Sequence, residues 1–212
     1  MDKKWVYFGL VLVVGMILGA ATYHYYKYEP DMQAMEALVS QYESQISELQ
    51  EQAAAVNVAD LTITANTTLL NFTTAVASDG SVASDVTKVI SVTIENTETD
   101  LDVMDLTIDV KSASNESGIP AALENEYFDI YVVVSTATGT QSVPLYKDGV
   151  YYDPYVIASL PAGAITTVEL KFVLNQAPAG VFEDGGSYTL KIYFRQPHAG
   201  NYEDKLSLTV TT

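Results

Sequence analysis

The chain has 212 residues, no cysteine and two histidines, and its 27 acidic side chains outnumber 10 basic ones to give a formal net charge of −17. This length fits one domain with an appendage and excludes a large multidomain enzyme. The negative charge argues against nucleic acid as a partner, and the absence of cysteine excludes disulfides, thiolate nucleophiles and Cys-ligated zinc.

The first element along the chain is an uncharged, apolar segment from Trp5 to Thr22. As a helix it would reach roughly 27 Å, close to the thickness of the hydrocarbon core of a bilayer. Lys3 and Lys4 precede it, as cytoplasmic flanking residues do. A tyrosine-rich stretch ending at Tyr28 follows it and is typical of the membrane interface.

These features predict a cytoplasmic N-terminus at residues 1–4, and a transmembrane helix with its aromatic belt at residues 5–28. The remainder of the chain would then lie outside the cell membrane. A cleaved signal peptide is the alternative, because Gly19 and Ala21 are small residues suited to precede a cut. The apolar stretch is longer than the usual hydrophobic region of a signal peptide, which favours the anchor.

Residues 29–57 follow Tyr28 and are predicted to form a helical stalk. After Pro30, apolar residues recur with a spacing of three and four over about four heptads, which is typical of a coiled coil. A parallel homo-oligomer would bury this seam. A single helix that folds back on its own domain, or packs on another subunit, is the alternative. The seam consists of Met32, Met35, Val39, Tyr42, Ile46, Leu49, Ala53 and Val56.

From residue 58 to residue 212 the apolar period changes to two. Ile90, Val92 and Ile94 alternate with polar residues, as half-buried strands do. Turn residues separate eight or nine such segments, and no long helix is indicated. We predict a mainly β domain, an immunoglobulin-like antiparallel β-sandwich. Two of the predicted strand segments run from Leu61 to Thr74 and from Tyr151 to Leu160.

A short motif specifies one corner of this sandwich. Asp184-Gly185-Gly186-Ser187-Tyr188 fits the tyrosine corner, in which the Tyr188 phenol bonds back to the backbone before the turn. Leu190 would then occupy the position of the second cysteine of an antibody domain, with Ile90 or Val92 opposite it. An ordinary glycine turn before a strand is the alternative.

The segments Val89 to Asn96, Ser159 to Gly163 leading into Val168 to Leu170, and Gly186 to Leu190 resemble the strands of CARDB-type immunoglobulin-like modules. The resemblance covers roughly residues 88–212. It implies an extracellular structural or adhesive role on a prokaryotic, in particular an archaeal, cell surface, and it implies no catalytic residue. Single-pass stator proteins of the archaellum are similar in layout.

Three aspartates suggest a cation site. Asp100, Asp102 and Asp105 cluster at a strand connection, with Asp109 on the following strand, and such oxygen ligands suit calcium. The full loop of an EF-hand is missing, and a solvated acidic loop is the alternative reading. Calcium is the single cofactor that the sequence suggests.

A tyrosine-rich segment suggests a contact surface. Tyr146, Tyr151, Tyr152 and Tyr155 surround a predicted hairpin turn at Asp148-Gly149. Exposed tyrosines would form an amphipathic surface for protein or sugar. Alternatively, some of these side chains pack on the core while the others shield an edge strand.

Three N-glycosylation sequons begin at Asn66, Asn71 and Asn115, on the side that the topology places outside the membrane. No known catalytic motif occurs in the sequence, so we do not expect an enzyme. We expect instead a membrane-anchored extracellular structural or adhesive protein that contacts the bilayer and other envelope proteins. The alternatives are an accessory, stator-like subunit of a membrane complex or filament, and a surface module that binds calcium or glycan.

Overall fold

The computed structural model describes residues 14–20, 39–45, 58–136 and 139–212. Contacts divide the chain into two compact units, Met1–Gln52 and Ala53–Thr212. In the first unit, residues 14–20 and residues 39–45 are helical. Within the described ranges, neither helix has the length and apolar character needed to cross a bilayer.

Most of the predicted membrane segment and stalk lies outside the described residues. Of the seam, Val39 is exposed and Tyr42 is partly buried on the helix at residues 39–45. The transmembrane helix and the coiled-coil stalk therefore stay predictions. Six seam residues lie outside the described residues: Met32, Met35, Ile46, Leu49, Ala53 and Val56.

Within residues 58–136 and 139–212, the second unit has eleven strands and one 3₁₀ turn, at Pro197–Ala199. In chain order the strands are β1 Leu61–Ala65, β2 Leu69–Asn71, β3 Val86–Asn96, β4 Val103–Asp109, β5 Phe128–Thr136, β6 Gly139–Lys147, β7 Val150–Tyr151, β8 Tyr155–Leu160, β9 Ile165–Leu174, β10 Ser187–Gln196 and β11 Tyr202–Thr211.

The strands form two sheets. The six-stranded sheet has the order β1-β3-β9-β5-β6-β7, and the five-stranded sheet has the order β2-β11-β10-β4-β8. Every pairing is antiparallel except that of β2 with β11. The prediction of a mainly β protein with a sandwich of antiparallel sheets is confirmed at this level.

Alternation along the central strands produces the core. On β3, Ile90, Val92 and Ile94 are buried, while the intervening residues are only partly covered. Leu190 and Phe194 on β10 belong to the same buried cluster. Aliphatic and aromatic packing therefore holds the two sheets together without a disulfide, because burial of apolar surface supplies the main favourable free energy of folding.

Two segments that the sequence pattern presents as single strands are each divided between the sheets. The segment from Leu61 to Thr74 contains β1 and β2, and its polar side chains explain the break. Asn66 Oδ1 accepts a hydrogen bond from the amide of Ser91, and the Thr67 hydroxyl contacts the backbone of Leu69. These side chains replace ladder bonds while the chain crosses from one sheet to the other.

The segment from Tyr151 to Leu160 likewise contains β7 and β8, which belong to different sheets. Pro154 lies between them and has no amide hydrogen to donate to a ladder. The described part of the chain therefore contains eleven strands, whereas the sequence pattern indicated eight or nine.

Two buried amide side chains bind the backbone of the loops at the end of the sandwich where the second unit begins. Asn96 is fully buried, and its Nδ2 donates to the carbonyls of Leu101, Leu160 and Pro161 at 2.8, 3.1 and 3.2 Å. Gln196 pairs with both backbone groups of Ala59, at 3.0 and 2.7 Å. Buried polar groups that are satisfied in this way fix the positions of the loops they bind.

We expect Asn96→Asp to lower the free energy of unfolding by at least about 3 kcal/mol, because a buried carboxylate would face carbonyl oxygens with no hydrogen to donate. Denaturant unfolding of the variant measures this loss. Asn201→Asp, at an exposed position, is the matched control and should change stability by less than about 0.5 kcal/mol. Equal losses in the two variants would contradict this role of Asn96.

Candidate functional site

The outer face of the five-stranded sheet carries a row of side chains that crosses three strands. Thr107 on β4 lies opposite Arg195 on β10 and opposite Val156 on the edge strand β8. Asp109, two residues beyond Thr107, lies opposite Tyr193. Thr107 and Asp109 are both buried, although the inner face of β4 is formed by other, apolar residues.

A shielded ion pair is the centre of this row. Arg195 Nη2 lies 2.5 Å from Asp109 Oδ2, and the exposed fractions of the two side chains are 19% and 10%. The other carboxylate oxygen of Asp109 accepts the amides of Val110 and Lys111 at 2.7 and 3.1 Å. The carboxylate is therefore compensated by a cation and by backbone dipoles, as a charge removed from water requires.

Two buried polar atoms beside this pair have no hydrogen-bond partner. They are Thr107 Oγ1 and Arg195 Nε, which belong to residues that face each other across β4 and β10. An unsatisfied buried polar group costs about 1 to 3 kcal/mol, so each needs an explanation such as an ordered water. The outer face of this sheet thus buries polar atoms of Thr107 and Arg195 that have no partner in the described part of the chain.

Other titratable groups lie on β4 and β10 and in the turn after β10. His198 in the 3₁₀ turn lies with its Nε2 2.8 Å from Asp105 Oδ2, and both side chains are more than half exposed. Tyr193 is buried, and burial raises the pKa of its phenol, with further contributions from Glu203 and Glu116. The strands that carry the shielded pair therefore also carry a buried phenol, Tyr193, and an exposed carboxylate, Asp105, that contacts His198.

The chain between β4 and β5 covers one end of the face. Gly118 donates to the carbonyl of Val110 and accepts from the amide of Lys191. A side chain at residue 118 would lie 2.2 Å from the Lys191 carbonyl oxygen, so glycine is required for this close approach. Ala113 donates its amide to Glu203 Oε2 at 2.7 Å and attaches the loop to β11.

The edge strand β8 borders the face on the other side. It ends the five-stranded sheet, and of its two sides only one pairs with a strand, β4, within the described part of the chain. Val156 is 45% exposed, and on the neighbouring strand Met104 is 49% exposed. Tyr155 and Ile157 pack against the core and hold β8 in place.

The three predicted calcium ligands have separate neighbours. Asp102 Oδ1 accepts the amide of Ala162 at 2.9 Å, and Asp105 contacts His198. Asp109 is paired with Arg195, while Asp100 is exposed in the connection before β4. Among the described residues, no group of three or more acidic or histidine side chains is placed to hold a metal ion.

The tyrosine segment forms the hairpin of β6 and β7. Asp148 and Gly149 have φ values of 52° and 79°, as a two-residue hairpin turn requires. Tyr146 is fully buried, which corrects its assignment to an exposed contact surface, because its inward register position packs it on the core. Tyr152 is exposed, and Tyr155 packs partly on the core.

Tyr151 fastens the loop between β4 and β5 to this hairpin. Its hydroxyl donates to Glu124 Oε1 at 2.7 Å and lies 2.6 Å from Ser117 Oγ. The Lys111 ammonium lies 4.1 Å from the centre of the ring. Burial raises the pKa of the Tyr151 phenol to about 12, with Glu124 adding to the rise and Ser117 opposing it. Tyr151 therefore holds the loop between β4 and β5 against the hairpin of β6 and β7.

The three sequon asparagines, Asn66, Asn71 and Asn115, are all exposed. Asn71 Oδ1 accepts the amide of Thr73 in a turn, and Asn66 Oδ1, just after β1, accepts the amide of Ser91 on β3. Asn115 has a positive φ of 66° between the bridged residues Lys111 and Ser117. Each therefore lies at a turn or a strand end, where a glycan could project into solvent.

Tyr188 lies at the start of β10, where the corner motif places it. Its hydroxyl is 3.5 Å from the carboxylate of Glu183, before the turn. Burial and then the Glu183 charge raise the pKa of the Tyr188 phenol. The backbone carbonyl of Glu183 accepts instead from the hydroxyl of Thr212, at 2.7 Å, which ties the C-terminus to the same turn.

Sequence reasoning missed the pair of Asp109 and Arg195 as a unit. One signal was available, because Arg195 is the sole arginine of the chain and occupies a polar position of an alternating strand. Because Asp109 lies 86 residues before Arg195, the local sequence pattern does not indicate that the two side chains pair. The register of β4 against β10, which identifies it, depends on the assembled sheet.

No family model matches the chain, and no curated protein matches it. The solved structures that are similar at a low level include the following three. The PapD-like domain 7 of human CEP192 is 13% identical, with a TM-score of 0.28 over 70% of this chain and 82% of that one. AvmM, described as catalysing macrocyclization in alchivemycin A biosynthesis, is 12% identical, with a TM-score of 0.32 over 74% and 90%.

The third structure is the Pseudomonas fluorescens alkylpurine DNA glycosylase AlkC bound to DNA containing an abasic site analogue. It is 11% identical, with a TM-score of 0.30 over 83% of this chain and 38% of that chain. TM-scores of this size do not establish a shared fold. The class of the protein, a two-sheet β-sandwich, rests on its own strand pairings.

We expect Arg195→Met to lower the free energy of unfolding by about 3 kcal/mol, because it leaves the shielded Asp109 carboxylate without its cation. The double variant Arg195→Met, Asp109→Asn should recover most of the loss. Lys147→Met, which removes the exposed Lys147–Asp148 pair, is the control and should cost less than about 1 kcal/mol. A double variant no more stable than Arg195→Met would contradict the shielded-charge explanation. Urea unfolding of all three variants provides the measurement.

Tyr151→Phe should cost about 1 kcal/mol at neutral pH, because two hydrogen bonds to the loop are lost. The folded pKa of about 12 exceeds the ordinary value of 10.0, so the unfolded chain releases this proton first. Stability that depends on the neutral phenol is therefore lost as the pH rises from about 10 to about 12. The difference between wild type and variant in denaturant unfolding should shrink to zero and then change sign within this window, and a constant difference would refute the assignment.

Proposed function

We propose that the chain is a single-pass membrane protein that displays an immunoglobulin-like β-sandwich outside the cell membrane, for protein contacts at the cell envelope. In this proposal residues 5–28 are the anchor, residues 29–57 form the stalk and residues 58–212 make the contacts. The function is structural or adhesive and involves no catalysis.

The strand order supports the immunoglobulin-like assignment. Strands β1, β3, β9 and β5 are adjacent in one sheet, as strands A, B, E and D are in an immunoglobulin domain. Strands β11, β10 and β4 are adjacent in the other sheet, as G, F and C are. Strand β8 extends the second sheet beyond β4, in the place where variable-type domains add a strand.

The order of segments supports the anchor. An uncharged apolar run of 18 residues, from Trp5 to Thr22, stands between two N-terminal lysines and a tyrosine-rich flank. This length suits a bilayer, and the lysines favour a cytoplasmic N-terminus. The acidic sandwich would then follow on the outer side.

One observation carries the proposal: a single chain joins this apolar run to a sandwich with immunoglobulin strand order. Domains of that architecture commonly serve as cell-surface contact modules. Fold alone does not specify function, so the topology of the chain in its membrane is the property to test. An accessory subunit of a membrane complex would share this topology, and stoichiometric co-purification with different subunits would favour it over a self-assembling stalk.

We expect protease added to intact cells to remove a tag placed after Thr212, and to leave a tag at the N-terminus protected until the cells are lysed. The full chain should stay in the membrane pellet after an alkaline carbonate wash. Protection of the C-terminal tag in intact cells would refute the proposal. Mass spectrometry of the mature chain distinguishes an uncut anchor from a cleaved signal peptide.

A variant pair makes the membrane assignment specific. Leu12→Asp with Val13→Asp should release the chain from the pellet, because each charge near the centre of a spanning helix costs about 2.5 to 3.5 kcal/mol. Leu12→Val is the matched control and should stay in the pellet. A charged variant that is retained like the control would indicate that another segment holds the protein to the membrane.

A further inference from the structure

We infer that β8 is a docking edge for an extended strand of a different protein, one with apolar residues at its centre and lysine or arginine at both ends. The incoming strand would continue the five-stranded sheet beyond β8. This inference rests on the proposed contact role of the sandwich, and it does not require the membrane anchor.

The edges of the two sheets differ in how they are protected. Strand β2 has three residues and β7 has two, and short edges offer few backbone groups to a neighbour. Strand β1 also contacts β11 of the other sheet. The part of β6 beyond β7 is polar and contains Pro144, where its register with β5 shifts.

Strand β8 lacks these protections. Its six residues, Tyr155–Leu160, include no charge and no proline, although Pro154 and Pro161 delimit it. Edge strands usually carry lysine, proline or a bulge that prevents pairing with another chain. Exposed Val156 adds apolar surface at the free backbone edge, and exposed Met104 on β4, opposite Ser159, adds more one strand further in. A strand of this length spans about 20 Å, enough for a partner segment of six to eight residues.

The acidic side chains near β8 indicate which kind of strand would bind to its free edge. Asp153 is exposed two residues before β8 begins, and Asp102 binds the amide of Ala162 two residues after β8 ends. An acidic side chain therefore lies just before β8, and a second one, at the start of the neighbouring β4, lies close to its other end. A strand with a cation at each end would complement them, and opposite charges across an interface favour encounter and fix register.

A second copy of this chain fits less well. Pairing of β8 with β8 about a two-fold axis is antiparallel and brings the Asp153 end of one copy beside the Asp102 end of the other. The net charge of −17 on each chain adds repulsion at longer range. The proposed occupant is thus a heterologous, cationic strand, and the self-paired dimer is an outcome of the test.

The test uses the full-length chain and a fluorescent peptide of about eight residues, with lysine at both ends and alternating valine and threonine between them. We expect saturable binding, measured by fluorescence anisotropy, that weakens as salt is added. Hydrogen exchange should slow at residues 155–159 when the peptide binds. The same peptide with glutamate at both ends should bind at least about threefold more weakly.

Two variants and one matched control locate the contact. Val156→Lys places a charge on the exposed edge and should weaken binding by at least about tenfold. Ile165→Lys, on an exposed position of β9 in the other sheet, is its matched control and should bind like wild type. Asp153→Lys should weaken the lysine-ended peptide by about threefold and strengthen the glutamate-ended one.

The inference is overturned if the peptide does not bind, or if Val156→Lys and its control bind alike. It is also overturned in favour of a second copy if native mass spectrometry finds a dimer of the full chain that Val156→Lys abolishes. Circular dichroism and unchanged exchange elsewhere verify that each variant is folded. A chain that binds the peptide but is absent from the membrane pellet would refute the proposed anchor and leave this docking edge supported.

Discussion

The two sheets of this sandwich are held together by mutual burial of their apolar faces. The chain has no cysteine, so no disulfide adds to this interaction. The alternating residues of β3 and β10 provide this burial at the centre of the fold. At the periphery the same burial encloses backbone carbonyls and amides, which must find partners. Asn96 and Gln196 provide them from within the strands, so the loops at this end are positioned by the core itself.

The outer face of the five-stranded sheet follows a different rule. Its central position is occupied by the pair of Asp109 and Arg195 rather than by solvated single charges. Such a pair contributes little net stability but penalises any register that separates its members. The ladder between β4 and β10 is short, with three paired residues on each strand. The ion pair therefore acts in the same direction as the buried apolar face of β4, which already favours this register.

The sequence predicted those parts of the fold that depend on local pattern. The period of two along β3 identified a strand and its buried face, and Asp148-Gly149 identified its hairpin. The division of segments between sheets was not predictable, because crossing residues such as Asn66 look like part of a strand. The neighbours of Asp105 and Asp109 were missed for another reason: His198 and Arg195 lie in a distant part of the chain.

The position of β8 also follows from sheet assignment, which local sequence does not contain. Read alone, Tyr155–Leu160 is an ordinary apolar strand, and such strands are usually central. At the edge, the same residues would promote aggregation unless something opposed it. The acidic ends of β8 and the large negative charge of the chain supply that opposition between copies, since like charges repel. Repulsion of this kind opposes pairing of β8 with β8, and the same negative charge favours the cationic strand that we propose as its partner.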